Sequence, residues 1–182
     1  MKIQGPSSTS LLALAPLFFA AITVGCGTTS SLPGTSEGSF NVVGTLETNV
    51  CGSGIGASNP WDFTLEMSED GSTLYLAQTD GSDEISGTLS GTSATLTSSA
   101  TSNVDATDAG SGSCDLTVVA TFTINLNSAS SPTSFTGSVS YDYSVATGVS
   151  SSVNCTDQLA SSGGDYSTLP CTVTYSLAAT HQ

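Results

Sequence analysis

Apolar residues alternate with polar, mostly hydroxyl-bearing residues over long stretches of this chain. Between Cys114 and Leu126 every second residue is apolar, and most of the residues between them are polar. An alternation with a period of two is typical of a strand that buries one face. We predict a strand in each segment that shows this pattern: Phe40–Val50, Trp61–Met67, Ser72–Gln78, Glu84–Leu89, Thr92–Thr97, Cys114–Leu126, Phe135–Val145 and Leu169–Leu177.

Short turns between these strands favour an antiparallel order. Asp70–Gly71 and Asp80–Gly81 are typical hairpin turns, and Ser90–Gly91 is a similar break. Since no window has helical periodicity of useful length, the predicted fold class is all-β. A single antiparallel meander of about eight strands buries its apolar face as a closed or nearly closed barrel, and a β-sandwich is the alternative. In strand number and pattern, this barrel resembles lipocalin-like proteins.

The first 25 residues have the layout of a signal peptide. Lys2 provides a positive charge, and Leu11–Ile22 forms an apolar run. This run is shorter than the roughly 20 residues of a transmembrane helix, and Pro16 weakens a helix interior. We therefore expect residues 1–25 to be a processed export signal.

The residues Thr23–Cys26 resemble the lipobox of bacterial lipoproteins, in which small residues precede a cysteine that is acylated. The resemblance implies cleavage before Cys26 and a lipid anchor, with acyl chains such as palmitate, on that cysteine. Gly27 stands where an Asp tends to retain lipoproteins in the inner membrane. Its presence implies a lipid-anchored protein of the bacterial cell envelope, at the outer membrane or cell surface. An ordinary signal peptide followed by a chance cysteine is the alternative.

The remaining chain divides into a tether and one domain. Residues 26–38 are rich in Gly, Ser and Thr, and we interpret them as a lipidated flexible tether. About a dozen such residues have a root-mean-square reach of roughly 20 Å. Residues 39–182 then form a single all-β domain.

Four cysteines remain after Cys26: Cys51, Cys114, Cys155 and Cys171. An even number in an exported domain predicts two disulfides, and three connectivities are possible. We favour Cys155–Cys171, which closes the last long loop, together with Cys51–Cys114. In a meander, all four cysteines gather at one end of the sheet, together with the long loops 52–59, 98–113 and 146–168.

The charge of the chain excludes some classes of partner. All fifteen acidic residues follow Cys26, and Lys2 is the only Lys or Arg. A domain without cationic side chains does not neutralise phosphates, so we expect no nucleic-acid binding.

The chain offers no catalytic or cofactor-binding motif. His181 is the only histidine, and its place beside the C-terminus predicts a frayed position. The carboxylates of Glu47, Asp62, Glu66 and Asp142 fall on the hydroxyl-rich strand faces, where they are solvated. We therefore expect no enzyme activity, no metal site and no cofactor. Acidic loops sometimes bind calcium weakly, but none here has the spacing of a calcium loop.

Two classes of function fit these observations. The first is a structural or interaction module of the cell envelope with a filled core. The second is a barrel that binds a small apolar ligand in its mouth. In either case we expect a protein or ligand to contact the loops 52–59, 98–113 and 146–168, because binding residues concentrate on loops held by a rigid scaffold. Six aromatic residues either line a cavity or pack the core: Trp61, Phe63, Phe122, Tyr141, Tyr143 and Tyr175.

Overall fold

The computed structural model describes residues 32–79, 84–105, 113–146 and 166–182. These residues form eight antiparallel strands that close into a barrel in chain order, with β8 paired to β1. The all-β prediction and the closed barrel are confirmed, and the β-sandwich alternative is wrong. The strands are β1 Thr35–Asn49, β2 Trp61–Asp70, β3 Thr73–Gln78, β4 Ile85–Ser90, β5 Ser93–Asp105, β6 Ser113–Leu126, β7 Ser134–Val145 and β8 Cys171–His181.

The apolar positions of each strand face the interior of the barrel, as their alternation predicts. Along β8, the five alternate residues from Cys171 to Ala179 are all buried, whereas the residues between them are more exposed. Burial of these side chains removes apolar surface from water, which is the main favourable contribution to folding. The largest of the fully buried side chains are Tyr175, Phe40, Phe135, Met67, Leu74, Leu96 and Ile124.

The barrel has two different ends. The turn end carries the tight turns at Gly71 and Gly91, the beginning of β1 and the end of β8. The opposite end, which we call the disulfide end, carries the end of β1 and the beginning of β8. Both chain termini of the barrel therefore lie at the turn end. The predicted turn Asp80–Gly81 lies outside the described residues.

The fifth strand is longer than its sequence pattern predicts. β5 continues to Asp105, so residues 98–105 of the predicted loop 98–113 are strand. This extension pairs with β6, and the hydroxyls of Thr101 and Thr117 lie 3.0 Å apart across the two strands. The segment 98–103 is mostly Ser, Thr and Ala and lacks the large apolar residues that reveal a strand, but its backbone still completes the ladder with β6.

The C-terminus is also more ordered than we expected. His181 belongs to β8, and its amide donates a hydrogen bond of 2.9 Å to the Thr133 carbonyl. Its ring meets Phe40 edge-on, with 5.2 Å between the ring centroids. The prediction of a frayed His181 is wrong because barrel closure pairs the last residues of β8 with β1. At the other terminus, β1 already begins at Thr35, within the predicted tether.

Candidate functional site

A disulfide joins Cys51 to Cys171 at the disulfide end. Cys51 lies two residues beyond the end of β1, and Cys171 is the first residue of β8. The favoured pairings Cys155–Cys171 and Cys51–Cys114 are therefore wrong. In a closed meander the first and last strands are neighbours, so the end of β1 meets the beginning of β8 although 120 residues separate them. The favoured pairings followed proximity along the chain and ignored this closure.

The remaining cysteines fall outside what the structure describes. Cys26 and Cys155 belong to segments that are not described, and for Cys114 only the backbone is described, paired with Val104 on β5. Among the described side chains, Cys51–Cys171 is the one disulfide. Of the predicted loops, 52–59 is described in full and 146–168 only at its two ends.

The side chain of Asn49 organises the loop after β1. Its carbonyl oxygen accepts hydrogen bonds from the amides of Cys51 and Gly52, at 2.9 and 3.2 Å. Its amide nitrogen donates to the carbonyls of Gly52 and Ile55, at 2.9 and 2.7 Å. All four bonds hold the loop against the barrel. Our sequence analysis missed this role, although an Asn just before a Gly-rich segment is a typical signal of a side-chain-stabilised turn.

A hydrogen bond from Tyr175 holds the other side of the same loop. Its hydroxyl donates a hydrogen bond of 3.0 Å to the Ala57 carbonyl. Gly56 lies directly above, with φ of +104°, and a Cβ at this position would approach the Tyr175 hydroxyl to 2.7 Å. The close approach and the backbone conformation both require glycine here.

The loop borders an open groove of about 450 Å³. Apolar side chains and backbone share its wall, and no charged side chain lines it. Its lining consists of Leu46, Asn49, Val50, Gly52, Ser53, Ile55, Gly56, Ala57 and Ser167.

Aromatic rings cluster inside the barrel at this end. The Trp61 ring stacks on Phe63, with 4.2 Å between centroids, and meets the Tyr175 ring at 5.4 Å and the Tyr141 ring at 6.3 Å. Gly44 on β1 lies opposite Trp61 and leaves room for the indole, since a Cβ there would lie 3.2 Å from Trp61 Cε3. We call the rings of Trp61, Phe63, Tyr141 and Tyr175 the aromatic cluster.

Several side chains that pack on the core are more accessible at the disulfide end than at the turn end. Among the described residues, every apolar side chain that packs against the core but stays partly accessible lies in this half of the barrel: Leu46, Ile55, Ala57, Trp61, Phe63, Ile85, Tyr141 and Val145. The aromatic residues therefore serve both of the predicted uses, because Tyr175 and Phe122 are core while Trp61 and Phe63 remain accessible.

Inward-facing positions of β5 become more exposed towards the disulfide end. Ala94 and Leu96 are buried, but in the same phase Ser98 is partly buried and Ala100 is exposed. The β6 residue Val118, which pairs with Ala100, stays buried. Among the described residues, the pairs of β4 with β5 end at Gly87 with Leu96, and β5 continues beyond them towards the disulfide end.

Burial disfavours ionisation of the tyrosine hydroxyls at this end. The pKa values of Tyr141 and Tyr143 are raised well above the usual range, chiefly because burial penalises the phenolate. Burial also raises the pKa of Tyr175. These side chains therefore contribute polarisable, uncharged surfaces.

The candidate carboxylates lie on the outer faces, as predicted. Asp142 accepts a hydrogen bond of 2.7 Å from the Thr172 hydroxyl, and Glu47 accepts one of 2.7 Å from the Ser176 hydroxyl. Asp62 and Glu66 are exposed on β2. Within the described ranges, no group of three or more His, Cys, Asp or Glu side chains is arranged to hold a metal ion.

One carboxylate at the turn end is unusual. Oxygen Oε1 of Glu69 is buried without a hydrogen-bond partner. Burial, and then the negative charge of Glu37, raise the pKa of Glu69. This site belongs to the end where the chain enters the barrel, not to the disulfide end.

No protein-family model, curated protein or solved structure matches this chain. No helix in the described part of the chain is long and apolar enough to cross a membrane.

Proposed function

We propose that this chain is a lipoprotein of the bacterial cell envelope, a non-enzymatic interaction module held at the outer membrane by a lipid on Cys26. The observation that supports this proposal is the position of the two barrel ends. β1 begins at the turn end with Thr35, nine residues after Cys26. A lipid on Cys26 therefore holds the turn end near the membrane and presents the disulfide end outwards.

The length of β1 sets the distance between the two ends. Its 15 residues extend about 50 Å at roughly 3.3 Å per residue. A strand tilt of about 40° reduces this to roughly 38 Å along the barrel axis. The loop held by Asn49 and the groove beside it then lie about this far from the anchored end, and the aromatic cluster lies between the two ends, beside Val42, Gly44 and Leu46 of β1.

A second candidate function, binding of a small ligand in the barrel mouth, is favoured by one specific observation. Two rings of the aromatic cluster, Trp61 and Phe63, stay partly accessible although they face the barrel interior. Ligand sites are usually concave and largely apolar, with a few polar groups. A display module and a ligand-binding barrel are compatible, because both use the outward end.

We also propose that Cys114 and Cys155 form a second bridge at this end. Since Cys51 and Cys171 are paired with each other, these are the two cysteines left after Cys26. Such a bridge would tie the segment that contains Cys155 to the beginning of β6. Non-reducing peptide mapping should recover a Cys114–Cys155 peptide pair, and alkylation of both thiols in the native protein would overturn this proposal.

The anchor is tested by membrane partitioning. The Cys26→Ser variant should leave the detergent phase or remain unprocessed, while the Cys114→Ser variant should partition like the parent. Equal partitioning of the Cys26→Ser variant and the parent would refute lipid anchoring.

The orientation is tested with introduced lysines, because the chain has no lysine after Lys2. Gly54→Lys places one amine at the disulfide end, where a Cβ meets no atom within 4 Å. Ser90→Lys places one at an exposed position of the turn end. With a donor dye on the lysine and an acceptor in the bilayer of proteoliposomes, we expect stronger energy transfer from the Ser90→Lys variant. Equal or reversed transfer would refute the proposed orientation.

A further inference from the structure

We propose that the aromatic cluster receives a small organic cation of the substituted-ammonium class, an inference that rests on the ligand-binding function proposed above. Three features support it: several aromatic rings in one place, partial accessibility of two of these rings, and a chain whose charges are almost all negative. Each feature alone is ordinary, but together they select one class of ligand.

The rings supply the attractive surface. Aromatic faces carry negative electrostatic potential and attract a cation that lies within about 6 Å of the ring centroid. Trp61, the best ring for this interaction, has three aromatic neighbours with centroids between 4.2 and 6.3 Å away. A ligand beside Trp61 is therefore within reach of more than one ring.

Two rings of the cluster are accessible to a ligand. Trp61 and Phe63 face the barrel interior from β2 but remain partly accessible. In the neighbouring strands, Gln78 of β3 pairs with Leu65, and Ile85 of β4 pairs with Leu76. Both side chains are partly buried, so this half of the barrel combines aromatic rings with one polar and one aliphatic side chain.

The charges around the mouth favour a cation. In many proteins an Arg or Lys of the same chain covers an exposed aromatic face, but this chain has neither after Lys2. Exposed carboxylates adjoin the lining strands at the disulfide end: Asp62 between Trp61 and Phe63, Glu84 just before β4, and Asp142 next to Tyr141. Asp62 and Asp142 lie on the outer faces of their strands, and the net negative charge of the domain raises the concentration of cations near its surface.

The same features disfavour other ligands. An anion would enter a negative field without any cationic partner. A sugar needs several hydrogen-bonding groups, and the mouth offers Gln78 and Ser98 among its described inward positions. A quaternary ammonium needs no hydrogen bond, because its charge is spread over methyl groups that pack against rings.

The test compares choline with 3,3-dimethylbutan-1-ol, which has the same shape but no charge. Trp61 is the only tryptophan, so its fluorescence reports directly on this site. In the processed full chain at low ionic strength, we expect choline to change Trp61 emission and to bind at least about fivefold more tightly than the neutral alcohol. High salt should weaken choline binding, because the field of the carboxylates is then screened.

Variants locate the site. Phe63→Leu and Tyr141→Leu should each weaken choline binding severalfold, whereas Tyr75→Leu should not. Tyr75 is a matched control because it alternates with the buried Leu74 and Leu76 and therefore lies on the outer face. Where a variant fails to fold by circular dichroism, the comparison of choline with its neutral analogue in the parent protein decides.

The outcomes separate the two proposals. Equal binding of choline and 3,3-dimethylbutan-1-ol would refute recognition of a cation and would leave a neutral apolar ligand as the candidate. No response to either compound would also refute ligand binding at this site. Neither result would affect lipid anchoring, which the Cys26→Ser variant tests. If phosphatidylcholine vesicles compete with choline for the site, the natural ligand is a lipid headgroup. If the vesicles do not compete, the natural ligand is a soluble amine.

Discussion

Removal of the Cys51–Cys171 bridge should strongly destabilise the domain without abolishing its fold. The change is the double substitution Cys51→Ala and Cys171→Ala. The bridge closes a loop of 120 residues, for which the loss of chain entropy in the unfolded state amounts to about 5 kcal/mol at 25 °C. Measured effects of disulfides are usually smaller, at about 2–4 kcal/mol.

The surroundings of the bridge place the expected loss between the usual measured effect and the full loss of chain entropy. Both cysteines are almost completely buried, so their truncation also removes packed sulfur atoms. Against this, β1 and β8 remain paired over nine residue pairs without the bridge. We therefore expect a loss of about 3–5 kcal/mol in the free energy of unfolding, out of about 5–15 kcal/mol for an ordinary domain. For a domain of this size, that loss lowers the melting temperature by roughly 8–15 °C.

The assay is urea unfolding under non-oxidising conditions, followed by Trp61 fluorescence and by circular dichroism. The matched control is Cys114→Ala with Cys155→Ala, which leaves the barrel closure intact. A loss below about 1 kcal/mol would refute the reasoning, because the bridge would then contribute little of the expected loop entropy. A Cys155–Cys171 peptide in the native protein would refute the pairing itself.

Three further predictions concern single groups and the overall charge. Glu69→Gln should stabilise the protein at neutral pH, and Glu66→Gln, on the exposed face, should not. Because the folded-state pKa of Glu69 is raised above 4.5, its contribution to stability is fully present below the ordinary value and is lost as pH rises through the folded-state pKa. The gain from Glu69→Gln in thermal unfolding should therefore disappear in acid, and a gain independent of pH would contradict this. Tyr175→Phe removes the hydrogen bond to Ala57 and should cost about 1–2 kcal/mol in urea unfolding, whereas a cost no larger than that of Tyr75→Phe would contradict it. Raising sodium chloride from about 20 mM to about 500 mM should increase the melting temperature, because the charges repel one another and salt screens them. A decrease would indicate attractive ion pairs, for which the chain after Cys26 has no Lys or Arg.

The strands could be predicted from the sequence because one face of each strand is buried. The alternation in β6 and β8 is complete, and both strands appear where it predicts them. The extension of β5 to Asp105 could not be found in this way, since residues 98–103 are Ser, Thr, Ala and Asn at the inward and at the outward positions alike. Period-two patterns reveal burial, and a strand segment with little burial leaves no such pattern.

Barrel closure explains the error at the cysteines. Alternation shows which face of a strand is buried but not which strand lies beside it, so barrel and sandwich both fitted the sequence. Once β8 pairs with β1, Cys51 and Cys171 become neighbours. The disulfide was thus predictable from the barrel, but not from distances along the chain.

The candidate site depends on fits between side chains that no local pattern reveals. Asn49 forms four hydrogen bonds to its own loop, and Gly44 leaves the space that Trp61 occupies. An Asn or a Gly can serve many purposes at such a position, and only the three-dimensional structure shows which purpose applies here. The acidic charge, in contrast, is a property of composition and was predictable in full.

The two ends of the barrel differ in how accessible their interior side chains are, and this difference separates residues that only stabilise the fold from residues that are also available for binding. At the turn end, Phe40 and Phe135 pack with 5.6 Å between their ring centroids, and Leu74 and Ile124 are fully buried. Side chains at the disulfide end are also buried, among them Tyr143, Tyr166 and Val173, so both halves of the barrel stabilise the fold. At that end the Cys51–Cys171 bridge and the bonds of Asn49 hold the backbone, while Trp61 and Phe63 stay partly accessible. Since functional sites often cost stability, a covalent bridge at the same end is the expected compensation.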